Sequence, residues 1–281
     1  MFLATIVCNR DFQQMLLQAE SIGQFVEPCV HVIVVNEHKP DIDFWYKWLA
    51  PYYKNHTLLI YPAIIPNDVK DYELLSGWVT QQWHKFIIAH LAYYKCLENY
   101  VLLDSKNFFV KPTKLDEFEY IIGSGVLSEE AATGFSDTNN HYAKLFNVDP
   151  IKETLAPFTP FVIDASLIRN STTMDSLKHI FFETINENPI GFSTSEFIFY
   201  SYLIKEQLVN YKSKSIGTSL WEKDIDSLSS KLYGIYSANF KVYGIHRDLL
   251  NNIYPSALDY INDWLYNKVG LKNKFYPTIK K

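Results

Sequence analysis

Phe2-Leu-Ala-Thr-Ile-Val-Cys8, the spacing Phe12, Met15/Leu16, Ala19, Ile22 behind it, and Val30-His-Val-Ile-Val-Val35 decide the fold. The outer two are short, nearly unbroken apolar runs, the pattern of strands buried on both faces of a parallel sheet. The middle segment repeats apolar residues at helical spacing and stops at Gly23. Strand, helix and strand in this order make a βαβ unit with a right-handed crossover.

The same rhythm continues. Residues 57–61 read as a strand closed by Pro62, residues 78–96 as a long amphipathic helix opened by Ser76-Gly77, and residues 100–103 as a buried strand ending at Asp104. Alternation of this kind predicts an α/β fold with a mostly parallel central sheet flanked by helices. After Lys111-Pro112 the pattern changes to that of an additional α+β portion. A strand is expected over 119–122, a mobile loop over 129–140, a short strand over 161–163, and helices near 173–186 and 194–206. The Ser/Lys/Asp-rich stretch 212–231 reads as a disordered or lid segment, 232–236 and 241–245 as a terminal β pair, and 257–267 as a closing helix. No linker-like stretch marks residue 112, so 1–281 is read as a single domain with halves 1–112 and 113–281.

Composition sets outer limits. The chain has 281 residues, of which 48% are hydrophobic and 20% charged, which excludes intrinsic disorder. A chain of this size buries roughly three-quarters of its unfolded surface and needs no staple. The net charge of −5 argues against nucleic-acid binding, which rests on clustered Lys and Arg. Cys8, Cys29 and Cys96 are too far apart for a disulfide framework or zinc site and read as buried thiols of a reducing compartment. Residues 1–8 carry no basic leader, and no apolar stretch approaches the ~18 residues of a membrane span, so a cytoplasmic location is expected.

In open parallel sheets, ligands bind beyond the carboxyl ends of the strands. Asp104 stands at such an end. A right-handed crossover brings the start of the preceding helix to the same edge, so Trp78, Gln81, Gln82 and Lys85 are expected to overlook the same crevice. Each also has a simpler reading. Asp104 suits an Asx-turn, Trp78 a core position, and the two glutamines a solvated helix face.

Gly77-Trp78-Val-Thr-Gln81-Gln82-Trp-His-Lys85, followed by Val101-Leu-Leu-Asp104-Ser-Lys106-Asn107-Phe-Phe-Val-Lys-Pro112, resembles a pattern from an uncharacterised bacterial and phage family of glycosyltransferase-like proteins, placed with the GT-A nucleotide-sugar transferases. Looser matches lie at 158–164, Ser195-Glu196-Phe-Ile-Phe-Tyr200 and Tyr243-Gly-Ile-His246-Arg247. The resemblance implies a Rossmann-like GT-A fold, with 1–112 as the nucleotide-sugar-binding half and 113–281 as the acceptor-side half. It implies transfer of a sugar from a nucleoside-diphosphate sugar to a glycan or other hydroxyl acceptor. Asn9, Arg10, Trp78, Gln81, Gln82, Lys85, Asp104, Lys106, Asn107 and His246 would then contact the donor.

Such an enzyme must offset the charge gathering on the leaving diphosphate. The family's usual solution is Mn²⁺ or Mg²⁺ on a carboxylate pair. Here the second acid is Lys106. Either Lys106 offsets the diphosphate without a metal, or Asp104 holds the ion with Asn107 or His246 contributing. Repulsion between an ammonium and a divalent cation favours the first. Glu196 and Asp164 are the candidates facing the acceptor as general base. Against these roles stand a capping box from Ser193 to Glu196 and a helix N-cap at Asp164. A non-catalytic nucleotide-sugar-binding protein and a structural protein are the alternatives.

Overall fold

A computed structural model of the chain describes residues 1–66, 77–93, 99–118, 127–155, 159–183, 196–206, 217–238 and 240–276. In chain order the strands are β1 (Phe2–Val7), β2 (Val30–Val35), β3 (Thr57–Pro62), β4 (Asn99–Asp104), β5 (Asn107–Phe109), β6 (Leu127–Ser128), β7 (Thr154–Leu155), β8 (Phe161–Asp164), β9 (Gly217–Leu220) and β10 (Val242–Ile245). The helices are α1 (Phe12–Phe25), α2 (Ile42–Leu49), α3 (Gly77–Tyr93), α4 (Glu129–Gly134), α5 (Ser136–Phe146), α6 (Ala165–Ser171), α7 (Met174–Lys178), α8 (Glu196–Glu206), α9 (Ile225–Ser237), α10 (Arg247–Asn252) and α11 (Pro255–Trp264).

The central sheet has the order β3-β2-β1-β4-β8, parallel except for β8, which runs antiparallel to β4. Alternate residues of one strand enter different cores. Phe2, Ala4 and Ile6 pack with Trp83, Phe86 and Ile87 of α3, whereas Leu3 and Val7 pack with Met15, Ala19 and Ile22 of α1 and Trp45 of α2. Burial on both faces is why these strands lack an apolar/polar alternation. Gly23 allows α1 to approach the segment after α2, since a Cβ there would lie 2.2 Å from the Tyr52 carbonyl oxygen.

The predicted α+β portion is present with different contents. A second sheet, β5-β10-β9, packs on α9, α10 and α11 through a third core that includes Phe108, Leu220, Tyr243 and Ile245. Residues 232–236 belong to α9 and do not form a β pair. Leu228 and Leu232 share its buried face at a spacing of four, while Tyr233 is 79% exposed. Much of the expected lid is β9 and α9, and Asp224 accepts from the Ser227 amide at 2.9 Å to start that helix. The expected loop 129–140 is α4 and the first turns of α5. Its polarity misled because Asn139 is buried, donating to the Ile151 carbonyl at 2.8 Å with the Tyr202 hydroxyl 2.6 Å from its Oδ1. The strand expected at 119–122, the end of the helix at 94–96 and Cys96 lie outside the described residues. Cys8 and Cys29 are free thiols, and burial pushes them up to about 11 and about 12. Among the described residues no helix is long and apolar enough to cross a membrane.

Candidate functional site

The strand order reverses between β1 and β4. The chain leaves β1 toward β2 on one side, and β4 lies on the other. Loops after these two strands therefore diverge and open a crevice at their carboxyl ends. A cavity of about 430 Å³ occupies it, lined by Arg10 and Asp11 after β1, Asp104 and Lys106 after β4, Gln81 and Lys85 of α3, Glu196 of α8, and Trp221, His246 and Arg247. A second hollow of about 330 Å³ adjoins it between the ends of β1 and β2. It shares Arg10, Asp11 and Gln81 and adds Cys8, Asn36, Glu37 and Gly77.

Asp104 is the electrostatic centre. Its Oδ1 lies 3.2 Å from Lys85 Nζ, and its Oδ2 takes the Lys106 ammonium and a 2.8 Å hydrogen bond from the Thr159 hydroxyl. Burial works to raise the Asp104 carboxyl, yet Lys106, Lys85 and these hydrogen bonds outweigh it and hold the group far below the usual carboxylate range. Lys85 also reaches Glu196 Oε1 at 2.5 Å. Burial would lower the Lys85 ammonium, but Asp104 and Glu196 reverse the sign and leave it raised. Across the cavity Arg247 donates to Asp11 Oδ1 at 2.8 Å. Four cations and three carboxylates thus face one hollow. Glu196 Oε2 is buried and has no hydrogen-bond partner among the described residues.

A buried chain of hydrogen bonds holds the Asp104–Asn107 turn. Gln18 donates to the carbonyls of Asp104 and Asn107, each at 2.8 Å, so its Oε1 is left to accept from the Thr5 hydroxyl at 2.8 Å. Thr5 has then spent its proton, so His31 Nε2, 2.9 Å away, must donate to it. His31 Nδ1 in turn accepts from the Tyr53 hydroxyl at 2.7 Å. This leaves His31 neutral, and burial, aided by nearby His56, pushes it down to about 3. The Asn107 side chain closes the turn by accepting from the Asp104 amide at 2.8 Å.

The structure brings together Arg10, Gln81, Lys85, Asp104, Lys106, His246 and Glu196. Others it places elsewhere. Asp164 caps α6, accepting from the amides of Ser166 and Leu167. It pairs with Asn99, where β4 begins, so it lies at the sheet edge opposite Asp104 and cannot join Glu196. Gln82 is fully buried and accepts from the Glu196 amide at 3.3 Å, and Asn107 is buried within its turn; neither lines the cavity. Asn9 uses its backbone amide on Glu37 at 2.7 Å. Trp78 lies in the first turn of α3. Ser193, and with it the expected capping box, lies outside the described residues. Sequence reasoning missed Asp11, Gln14, Ser219 and Trp221 on the cavity wall and Gln18 and Thr159 behind it. Trp221 follows a strand end, the signal that marks Asp104, but its strand lies in the stretch whose composition reads as a disordered or lid segment.

The divalent cation implied by the resemblance does not fit these residues. Both Asp104 oxygens already face ammonium groups, and a metal there would sit against two positive charges. Among the described residues no group of three or more His, Cys, Asp or Glu is arranged to hold a metal ion.

No protein-family model and no curated protein matches the chain. Among solved structures it is similar to the apo form of mouse xyloside xylosyltransferase 1, at 9% identity and a TM-score of 0.49, over 88% of this chain and 98% of that one. It is also similar to the mannosyltransferase Ktr4p from S. cerevisiae, at 11% identity and a TM-score of 0.46, over 72% of this chain and 64% of that one.

Proposed function

We propose that this chain is a GT-A-type glycosyltransferase that transfers a sugar from a nucleoside-diphosphate donor to a hydroxyl acceptor and meets the diphosphate charge with side-chain cations. The observation that carries the reading is the Lys85–Asp104–Lys106 cluster at the strand-order reversal, with Arg10 and Arg247 in the same cavity. The smaller hollow, rimmed by Asn36 and Glu37, takes the nucleoside. The diphosphate lies against Lys106, Arg10 and Arg247, whose charges stabilise the leaving oxygens as the glycosidic bond breaks. Asp104 orients the two lysines and stays ionised. Glu196, anchored through one oxygen by Lys85, offers its unpartnered oxygen to the acceptor hydroxyl and takes its proton.

The test is calorimetric binding of UDP, GDP and their sugar conjugates with chelator present, alongside donor hydrolysis. Wild type binds at least one nucleotide undiminished by chelator, and Lys106→Ala loses roughly tenfold or more in affinity, about 1.4 kcal/mol per factor of ten. Binding that requires Mn²⁺, or that ignores the loss of both Lys106 and Asp104, contradicts the proposal.

A further inference from the structure

Trp221 is a large apolar side chain left half exposed, at 50%, and it lines the cavity of the candidate site. Two strand ends fix its place. Leu220 at the end of β9 and Ile245 at the end of β10 are fully buried partners in register, so Trp221 and His246 leave adjacent parallel strands side by side. Their rings stack with centroids 4.9 Å apart and planes at 26°. One indole face is therefore backed by an imidazole. An indole stacked on an imidazole, with its burial left incomplete in a cavity that Arg247 and Ser219 also line, has the properties of a docking surface for a ligand with one apolar face and a polar rim.

We propose that Trp221, backed by His246, is the platform on which the pyranose ring of the acceptor stacks. The assignment rests on the glycosyltransferase reading, and the layout of the cavity orients it. The hollow at the ends of β1 and β2 lies beyond Arg10, which both hollows share. A donor whose anionic centre meets the cations, with its nucleoside in that hollow, leaves the Trp221 side for the sugar that receives the transfer. A pyranose presents a face of C–H bonds, slightly positive, to the negative face of the indole. Its hydroxyl rim then faces the part of the cavity lined by Ser219 and Glu196, so stacking on Trp221 holds an acceptor hydroxyl on the side of the group proposed to deprotonate it.

The experiment uses full-length protein and the variants Trp221→Ala and Trp221→Phe, with methyl α- and β-glycosides of glucose, galactose, mannose and xylose as probes. Saturation-transfer NMR reports which glycoside protons contact the protein, and calorimetry reports UDP and GDP affinity in the same samples. At least one glycoside is expected to show transfer to the C–H protons of one ring face in wild type. Trp221→Ala should weaken that signal roughly tenfold in apparent affinity and Trp221→Phe by far less, about threefold or under on the same scale. Nucleotide affinity should stay unchanged in both. Glycoside signals that are absent from wild type or identical in Trp221→Ala overturn the platform while leaving nucleotide binding, and with it the proposed function, intact. Lost nucleotide affinity in Trp221→Ala also overturns it, because the ring then holds the base. Absence of nucleotide binding in wild type is instead the failure of the glycosyltransferase reading.

Discussion

Lys85 is the side chain on which the charge balance of the site depends. Its ammonium is buried between Asp104 and Glu196, and removing it leaves two buried carboxylates with Lys106 as the nearest remaining counter-charge. Lys85→Met is expected to cost roughly 3–5 kcal/mol in stability, because breaking a buried pair strands its partners. Urea denaturation checks this, and a midpoint equal to that of wild type would refute it. Glu196→Gln keeps the shape of the site but cannot accept a proton. It is expected to retain nucleotide affinity and lose about 10²- to 10⁴-fold in transfer rate, read from a kcat and KM series. At this scale the residue types were legible in the chain, since Asp104 ends a strand, Glu196 begins a helix and Lys85 follows Gln81 by one turn on α3. Their partners were not. The helix N-cap that the sequence offers for Asp164 is what the structure shows, because a cap is a contact within one turn; that Gln82 turns inward depends on a contact with the distant Glu196 amide and has no local sign.

Among the elements, the turn that joins β4 to β5 runs from Asp104, the last residue of β4, through Lys106, and α1 holds it from behind through Gln18. Gln18→Met would leave two buried carbonyls without donors, a loss of about 1–3 kcal/mol. Because the turn loosens, nucleotide affinity should fall with it. Thr5→Val, which cuts the chain one link further away, should lower stability while leaving affinity closer to wild type. The comparison separates a positioning role from a purely structural one. Nitrogen NMR of the His31 ring should also report the Nε2–H tautomer that the chain of donors requires; the Nδ1–H form would mean a different hydrogen-bond order. The strands and helices of the first half were readable because apolar runs and helical spacing are local signals. β9 and α9 were not, because β9 buries the polar Ser219 and the buried Leu228 and Leu232 of α9 form a narrow stripe among exposed polar neighbours.

For the whole molecule, buried neutral histidines set the response to acid. His31 is pushed down to about 3 and His84 to about 4, in each case chiefly by burial. Below the ordinary histidine value of 6.5 the unfolded chain binds protons at these positions that the folded chain refuses. Stability therefore falls as pH drops from about 6.5 toward 4. Asp104 has the opposite starting charge and the same sign of effect, but only below the ordinary carboxylate value, where the unfolded chain protonates first. Urea midpoints taken from neutral to acid pH should decline across this window, and His31→Gln should flatten the slope. A profile independent of pH would show that these rings are not held neutral.

The order of strands and helices in the first half, the parallel sheet and the edge on which Asp104 stands followed from sequence alone, because burial on both faces and helical periodicity are written in neighbouring residues. Which carboxylates face the hollow, which glutamine turns into the core, that Lys85 closes on Asp104 and that Trp221 joins His246 were decided only by tertiary structure. Each of those facts is a meeting of segments far apart in the chain, and an ion pair or stacked ring leaves no periodic trace in either segment alone.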